Sequence, residues 1–122
     1  MAEQPSARIG TDLLFENDRL RVWDMTLAPG ESSDLHRHDH DFLYVYVTDD
    51  NELAIEVPGE EPILSRAGDS HVSYWEVGPD NPPPTYTHRA TNTASTPHRQ
   101  ILVEFLGPSA GDAPSGPHRN GR

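Results

Sequence analysis

A chain of 122 residues has room for one hydrophobic core and so for one domain, and its 20 acidic against 9 basic residues, a net charge of -11, disfavour a nucleic-acid backbone or an anionic membrane surface as partner. The absence of cysteine removes disulfides, thiolate nucleophiles and cysteine-rich zinc sites, and because all nine basic residues are arginine, no lysine is present for Schiff-base chemistry. Any metal must be held by histidine and carboxylate.

Residues 1–12 form an N-terminal segment with no apolar run flanked by basic residues, and no uncharged apolar stretch reaches the roughly 20 residues of a membrane span. The expectation is a soluble, cytoplasmic protein with a single domain over 13–106. Apolar residues alternate with polar ones in LRVWDMTLA at 20–28, which predicts a strand, and APGE at 28–31 supplies the turn after it. Next comes GESSDLHRHDHDF at 30–42, with His36, His38 and His40 at alternate positions. FLYVYV at 42–47 and ELAIEV at 52–57 predict two more strands, and the Asp and Asn residues of TDDNE at 48–52 predict a hairpin that pairs them. Turn signals recur in VPGEEP at 57–62, RAGD at 66–69 and GPDNPPP at 78–84, around a strand HVSYWEV at 71–77. An extended segment starts at YTHRATN, which holds His88 and Asn92, and RQILVEFL at 99–106 is the last strand. No segment has a helical period, so the fold class is all-β, an antiparallel sandwich or barrel. Beyond Leu106, residues 107–122 have almost no apolar side chains to bury, which predicts a disordered or extended C-terminal tail; the alternative is a tail packed on a neighbouring subunit.

On a strand, His36 and His38 project to the same side, so their ring nitrogens can converge. This is a chelating pair, or else a polar strand edge with solvated rings. One strand cannot surround an ion, so a third ligand must come from elsewhere, from His71, His88 or His98.

The order Gly30, five residues, His36, Arg37, His38 resembles the first half of the cupin motif, Gly-x5-His-x-His, and His88-Arg-Ala-Thr-Asn92 resembles the His-x3-Asn that closes the second. The turn Ala67-Gly68-Asp69, the aromatic-rich strand after it and the ending TPHRQILVEF are also similar to small single-domain cupins, so that the resemblance spans about residues 20–106. It implies a cupin-type antiparallel β-barrel, a double-stranded β-helix or jelly roll, with one divalent metal ion (Fe, Mn, Zn or Ni) on His36, His38 and His88. The Glu that cupins place four or five residues after the second His is replaced by Phe42 and Leu43, and the expected Pro-x-Gly before the later His is replaced by GPDNPPPTYTH. Two ligand sets follow: three histidines with Phe42 as an apolar wall, which is preferred, or four ligands completed by Asp41 or His40. His71, His98 and His118 read as surface residues.

If Phe42 faces inward, Tyr44 and Tyr46 follow it by alternation, and Gln100, Leu102 and Glu104 or their neighbours line the pocket from the last strand. Tyr44 is the candidate catalytic residue, able to orient a substrate or give a proton; strand packing is the simpler role for Tyr46. Arg37 and Arg89 point away from the ion, and Trp23 and Trp75 belong to the core or to a dimer contact. The functional expectation is a metal-dependent enzyme for a small organic metabolite, oxygenase first and lyase or isomerase second, similar to cupins linked to catabolism such as β-alanine degradation. The alternative is a non-catalytic cupin that binds metal or a small ligand. A homodimer is the expected assembly.

Overall fold

The computed structural model describes residues 5–77 and 87–107. Among these, nine strands and no helix are present: β1 (Asp12–Glu16), β2 (Leu20–Leu27), β3 (His36–Arg37), β4 (Asp41–Tyr46), β5 (Asn51–Glu56), β6 (Ile63–Ala67), β7 (Val72–Trp75), β8 (Thr87–Asn92) and β9 (His98–Phe105). They form two antiparallel sheets, in the orders β1-β2-β9-β4-β7 and β3-β8-β5-β6. No helix long and apolar enough to cross a membrane occurs among the described residues. The proline-rich turn at 78–84, His118 and the tail beyond Gly107 lie outside those residues.

Alternation builds the core. Trp23, Met25 and Leu27 of β2, Tyr46 of β4 and Leu102 of β9 turn inward to meet Leu53 and Ala90 of the other sheet, and Phe42 of β4 is buried as well. Glu104 also turns inward, and its buried carboxylate accepts the indole N–H of Trp23 at 2.8 Å, with Arg21 3.6 Å away. The strands anticipated from alternation appear as β2, β4, β5, β7 and β9, and the turns between them hold Gly30 and Gly59 at φ 83° and Asp50 at φ 51°.

The predicted hairpin does not form. β4 pairs with β7 and β9, whereas β5 pairs with β6 and β8 in the other sheet. The TDDNE turn therefore carries the chain across the sandwich, and the Asn51 side chain ties the crossing down by donating to the carbonyls of Thr48 at 2.6 Å and Ala67 at 3.1 Å.

The stretch ahead of β1 is part of the packing. Ser6 bridges His36, Ile9 is 1% exposed in the core, and Thr11 N–H donates to the Asp24 carbonyl at 2.7 Å. Gly10 passes so close to β2 that a Cβ there would lie 2.7 Å from Trp23 Cβ, so only glycine fits without a backbone shift. Replacing Ile9 by Ala should leave a cavity between the sheets and lower the unfolding free energy by about 2–5 kcal/mol in urea titrations; a change below about 0.5 kcal/mol would mean that this segment is not held to the core.

Candidate metal centre

The register of β3 against β8 places His36 directly opposite His88, so their side chains share one face. His38, two residues on, returns to that face just beyond the end of β3. The rings meet edge to face, with centroids 4.9 Å apart for His36 and His38, 4.7 Å for His36 and His88, and 5.0 Å for His38 and His88. One nitrogen from each ring lies within 4.8 Å of the other two, and His36 and His38 are buried while His88 is partly so.

Hydrogen bonding fixes one ring and packing another. His36 Nδ1 lies 2.9 Å from the Asp34 carbonyl, which can only accept, so Nδ1 carries the hydrogen and Nε2 keeps its lone pair. His38 Nε2 and His88 Nε2 face each other at 3.2 Å. Two imidazoles bound to one cation at about 2.1 Å and about 100° apart would be separated by about 3.2 Å, so the pair fits a shared ion. His38 Nδ1 is sealed in without a hydrogen-bond partner among the described residues, and its ring is aligned by Phe42, stacked at 3.8 Å and 14°. Phe42 thus turns an apolar face to the imidazoles.

Burial keeps the cluster neutral. It lowers the basicity of His36 and pushes His38 well below the ordinary imidazole value; His88 is brought to about 3, and neighbouring imidazoles add to the shift of His38 and His88. Neutral rings are the form that binds a metal.

The alternative fourth ligands stand apart from this group. Asp41 accepts the Val77 N–H at 2.9 Å, and His40 is not among the grouped side chains. A cavity of about 50 Å³ adjoins the imidazoles, lined also by Phe42, Tyr44 and Tyr46 of β4 and by Gln100 and Leu102 of β9, as alternation predicted. Glu104 is turned to Trp23 instead. Arg37 projects outward to Asp39 at 2.7 Å, and Trp75 remains 41% exposed while Trp23 is core.

His71 is exposed, as expected, but His98 is not the surface residue anticipated: it is 1% exposed, with Nδ1 2.8 Å from Asn51 Oδ1 and Nε2 2.9 Å from the Gln100 amide nitrogen. A histidine just before a strand carries no local mark of burial, and its partner Asn51 is 47 residues away. Asn92 of the His-x3-Asn pattern is structural, donating to the carbonyls of Leu27 and Thr96 and accepting the Ala94 N–H, which closes the β8–β9 turn.

No protein-family model and no curated protein matches the sequence. Among solved structures the chain is similar to a cupin domain from Bordetella pertussis Tohama I, with 24% identity over 86% of this chain and 98% of that one and a TM-score of 0.65. It is also similar to a conserved protein with a double-stranded beta-helix domain from Klebsiella pneumoniae (17% identity, 88% and 85% covered, TM-score 0.55), and to the DMSP lyase DddQ from Ruegeria pomeroyi (19% identity, 87% and 47% covered, TM-score 0.51). These likenesses show the fold, an all-β cupin-type double-stranded β-helix.

Neutral buried imidazoles make stability depend on pH. His88 at about 3 and His98 at about 4, both lowered by burial, stay unprotonated in the folded state, while the unfolded chain protonates near 6.5. Stability is therefore full above 6.5 and is lost progressively as pH falls from there towards 3. Urea midpoints of the metal-free protein should fall steadily across this window; midpoints that stay level down to about pH 4 would contradict burial of neutral rings.

Proposed function

We propose that this chain is a metal-dependent cupin enzyme that holds one divalent ion on the ring nitrogens of His36, His38 and His88 and acts on a small organic metabolite. The observation that carries the reading is the convergence of three neutral imidazoles, one of them already held with its lone pair free by the Asp34 carbonyl. When bound, an ion with only neutral protein ligands keeps its charge of roughly +2 and several open positions, and so supplies Lewis-acid or oxygen-activating chemistry. Iron, manganese, zinc and nickel are the candidate ions, since ligand type alone does not choose among them. Oxygenase chemistry leads, because dioxygen and a small substrate both need open positions. Lyase or isomerase chemistry is second, and the DMSP lyase is an instance of the first of these on a similar fold. The cavity of about 50 Å³ keeps the substrate small, in line with the resemblance to cupins of amino and carboxylic acid catabolism, β-alanine degradation among them. Tyr44, on the cavity wall, is the residue assigned to orient substrate or give a proton.

One observation favours a second reading, a cupin that binds a metal or small ligand without catalysis. Phe42 lies flat on His38 and takes up space that a substrate would need. Elemental analysis of untagged protein should find about one ion per chain, lost in His36→Ala and His88→Ala and kept in His71→Ala; equal loss in all three would overturn the choice of ligands. Oxygen uptake by iron- or manganese-loaded protein on a panel of small acids and amines supports the enzyme, and full metal occupancy with no turnover on any metal supports the binder.

The partner assigned to the outer face of the five-stranded sheet is a second copy of this chain. Phe15, Val22, Val103, Leu43 and Tyr74 are paired across all five strands, and Ile101, Val45 and Val72 make a parallel row. Phe15, Val72 and Tyr74 are more than half exposed, where an antiparallel sheet facing water is normally polar. Chains of net charge -11 repel one another elsewhere, so this largely apolar face, where Asp24 is neutralised by Arg99 at 3.2 Å, is the place where two copies can approach. Five strands about 4.8 Å apart and about 20 Å long give roughly 500 Å² per partner, the lower range of specific interfaces. Sedimentation at tens of micromolar should show a dimer that Val103→Lys converts to a folded monomer; a monomeric wild type would remove the assignment.

A further inference from the structure

The inner side of β9 carries a second histidine-centred network, outside the three-imidazole cluster, and it fixes the direction of one polar group in the cavity. The Asn51 amide nitrogen donates to two carbonyls, Thr48 and Ala67, so its oxygen faces the other way, where it accepts the Thr48 hydroxyl at 2.7 Å and lies 2.8 Å from His98 Nδ1. That oxygen can only accept, so His98 Nδ1 carries the hydrogen. Burial keeps the ring neutral, which leaves Nε2 a bare acceptor. The Gln100 amide lies 2.9 Å from this nitrogen, and only its NH2 end can donate there. Its oxygen is therefore turned away from His98.

Gln100 is 4% exposed and lines the cavity beside the imidazoles. Among the described residues no donor reaches its oxygen, and His38 Nδ1 is the buried side-chain atom sealed in without a partner, so the Gln100 oxygen opens onto the cavity. The other residues of that wall are aromatic or aliphatic, apart from the imidazoles and the tyrosine hydroxyls.

We infer that Gln100 is the specificity-determining residue of the site: held by His98 and Asn51, it presents a fixed acceptor, so the ligand is a small molecule with a hydroxyl or amine donor turned towards β9. A carboxylate at that end would meet oxygen with oxygen, and an alkyl end would leave the amide unpaired. The inference deepens the metal-centre reading and rests on it for where the ligand lies. The orientation of Gln100 does not depend on an ion.

Two measurements separate the two claims. Imidazole nitrogen NMR on the metal-free protein should find His98 as the Nδ1–H tautomer, and an Nε2–H tautomer would overturn the inference. With cobalt(II)-loaded protein, visible absorption titrations compare 3-hydroxypropionate with propionate, which differ by one distal O–H. The wild type should bind the hydroxy acid about three- to tenfold more tightly, the effect of one hydrogen bond. Gln100→Met, with cobalt content as in wild type and a wild-type circular dichroism spectrum, should bind the two alike. Equal binding by wild type, a preference that survives in Gln100→Met, or no binding of either probe would overturn the inference. Failure to take up cobalt would overturn the metal-centre reading alone, and the tautomer would still decide the orientation of Gln100.

Discussion

Whether the three imidazoles meet depends on two residues of backbone. β3 consists of His36 and Arg37, and a strand that short has little pairing of its own to hold it. It is fixed from both sides: β8 pairs with it in the register that sets His36 against His88, and Ser6 bonds the carbonyl of Leu35 and the N–H of Arg37 from the other edge. Ser6 is in turn anchored by Ile9 in the core and by the close passage of Gly10 over Trp23. A slip of one residue in the β3–β8 ladder would send His36 to the opposite face. The N-terminal stretch, which has no functional motif of its own, thus belongs to the scaffold of the site.

A group of uncharged rings in an apolar interior raises a second constraint, because each buried nitrogen needs a partner or a reason to lack one. The Asp34 carbonyl satisfies His36 Nδ1, and the facing nitrogens of His38 and His88 satisfy each other only if one of them carries a hydrogen or an ion lies between them. Phe42 does by stacking for His38 what the carbonyl does for His36 by hydrogen bonding: it limits the ring to one plane. Dispersion holds a ring less tightly than a hydrogen bond, so His38 is the more adjustable of the two rings.

The parts of this architecture that were legible in the sequence are those with a local cause. Half-buried strands alternate, so β2, β4, β5, β7 and β9 could be read directly, and Gly30, Gly59 and Asp50 mark turns where φ is positive. The His-x-His spacing likewise placed two rings on one side. What could not be read was set by distant partners. Asp50 adopts the left-handed conformation of a hairpin, yet β4 and β5 part to different sheets, because the same turn also suits a crossing and closure of the barrel decides between them. Edge strands β1 and β6 present mostly exposed residues and so gave no alternation. His98 had no feature to set it apart from His71, and the difference lies in Asn51, which is fixed by its own turn before it can receive the imidazole.

The two histidine systems answer the same demand in opposite ways. On β3 and β8 the ring nitrogens converge, with His38 Nε2 facing His88 Nε2 at 3.2 Å, an arrangement that a shared hydrogen or a common cation satisfies. On β9 the ring is fully committed, Nδ1 to Asn51 and Nε2 to Gln100, so it has no lone pair left for a metal and acts only on the amide beside it. The carboxylate next to the cluster, Asp41, is likewise engaged, by the Val77 N–H. The protein therefore offers an ion neutral donors alone, and in a cavity walled by Phe42 and Leu102 the field of that ion would be little screened. On the proposed reading, charge compensation would come from what enters the cavity, which would set an anionic group of the ligand on the imidazole side and a hydrogen-bond donor on the Gln100 side.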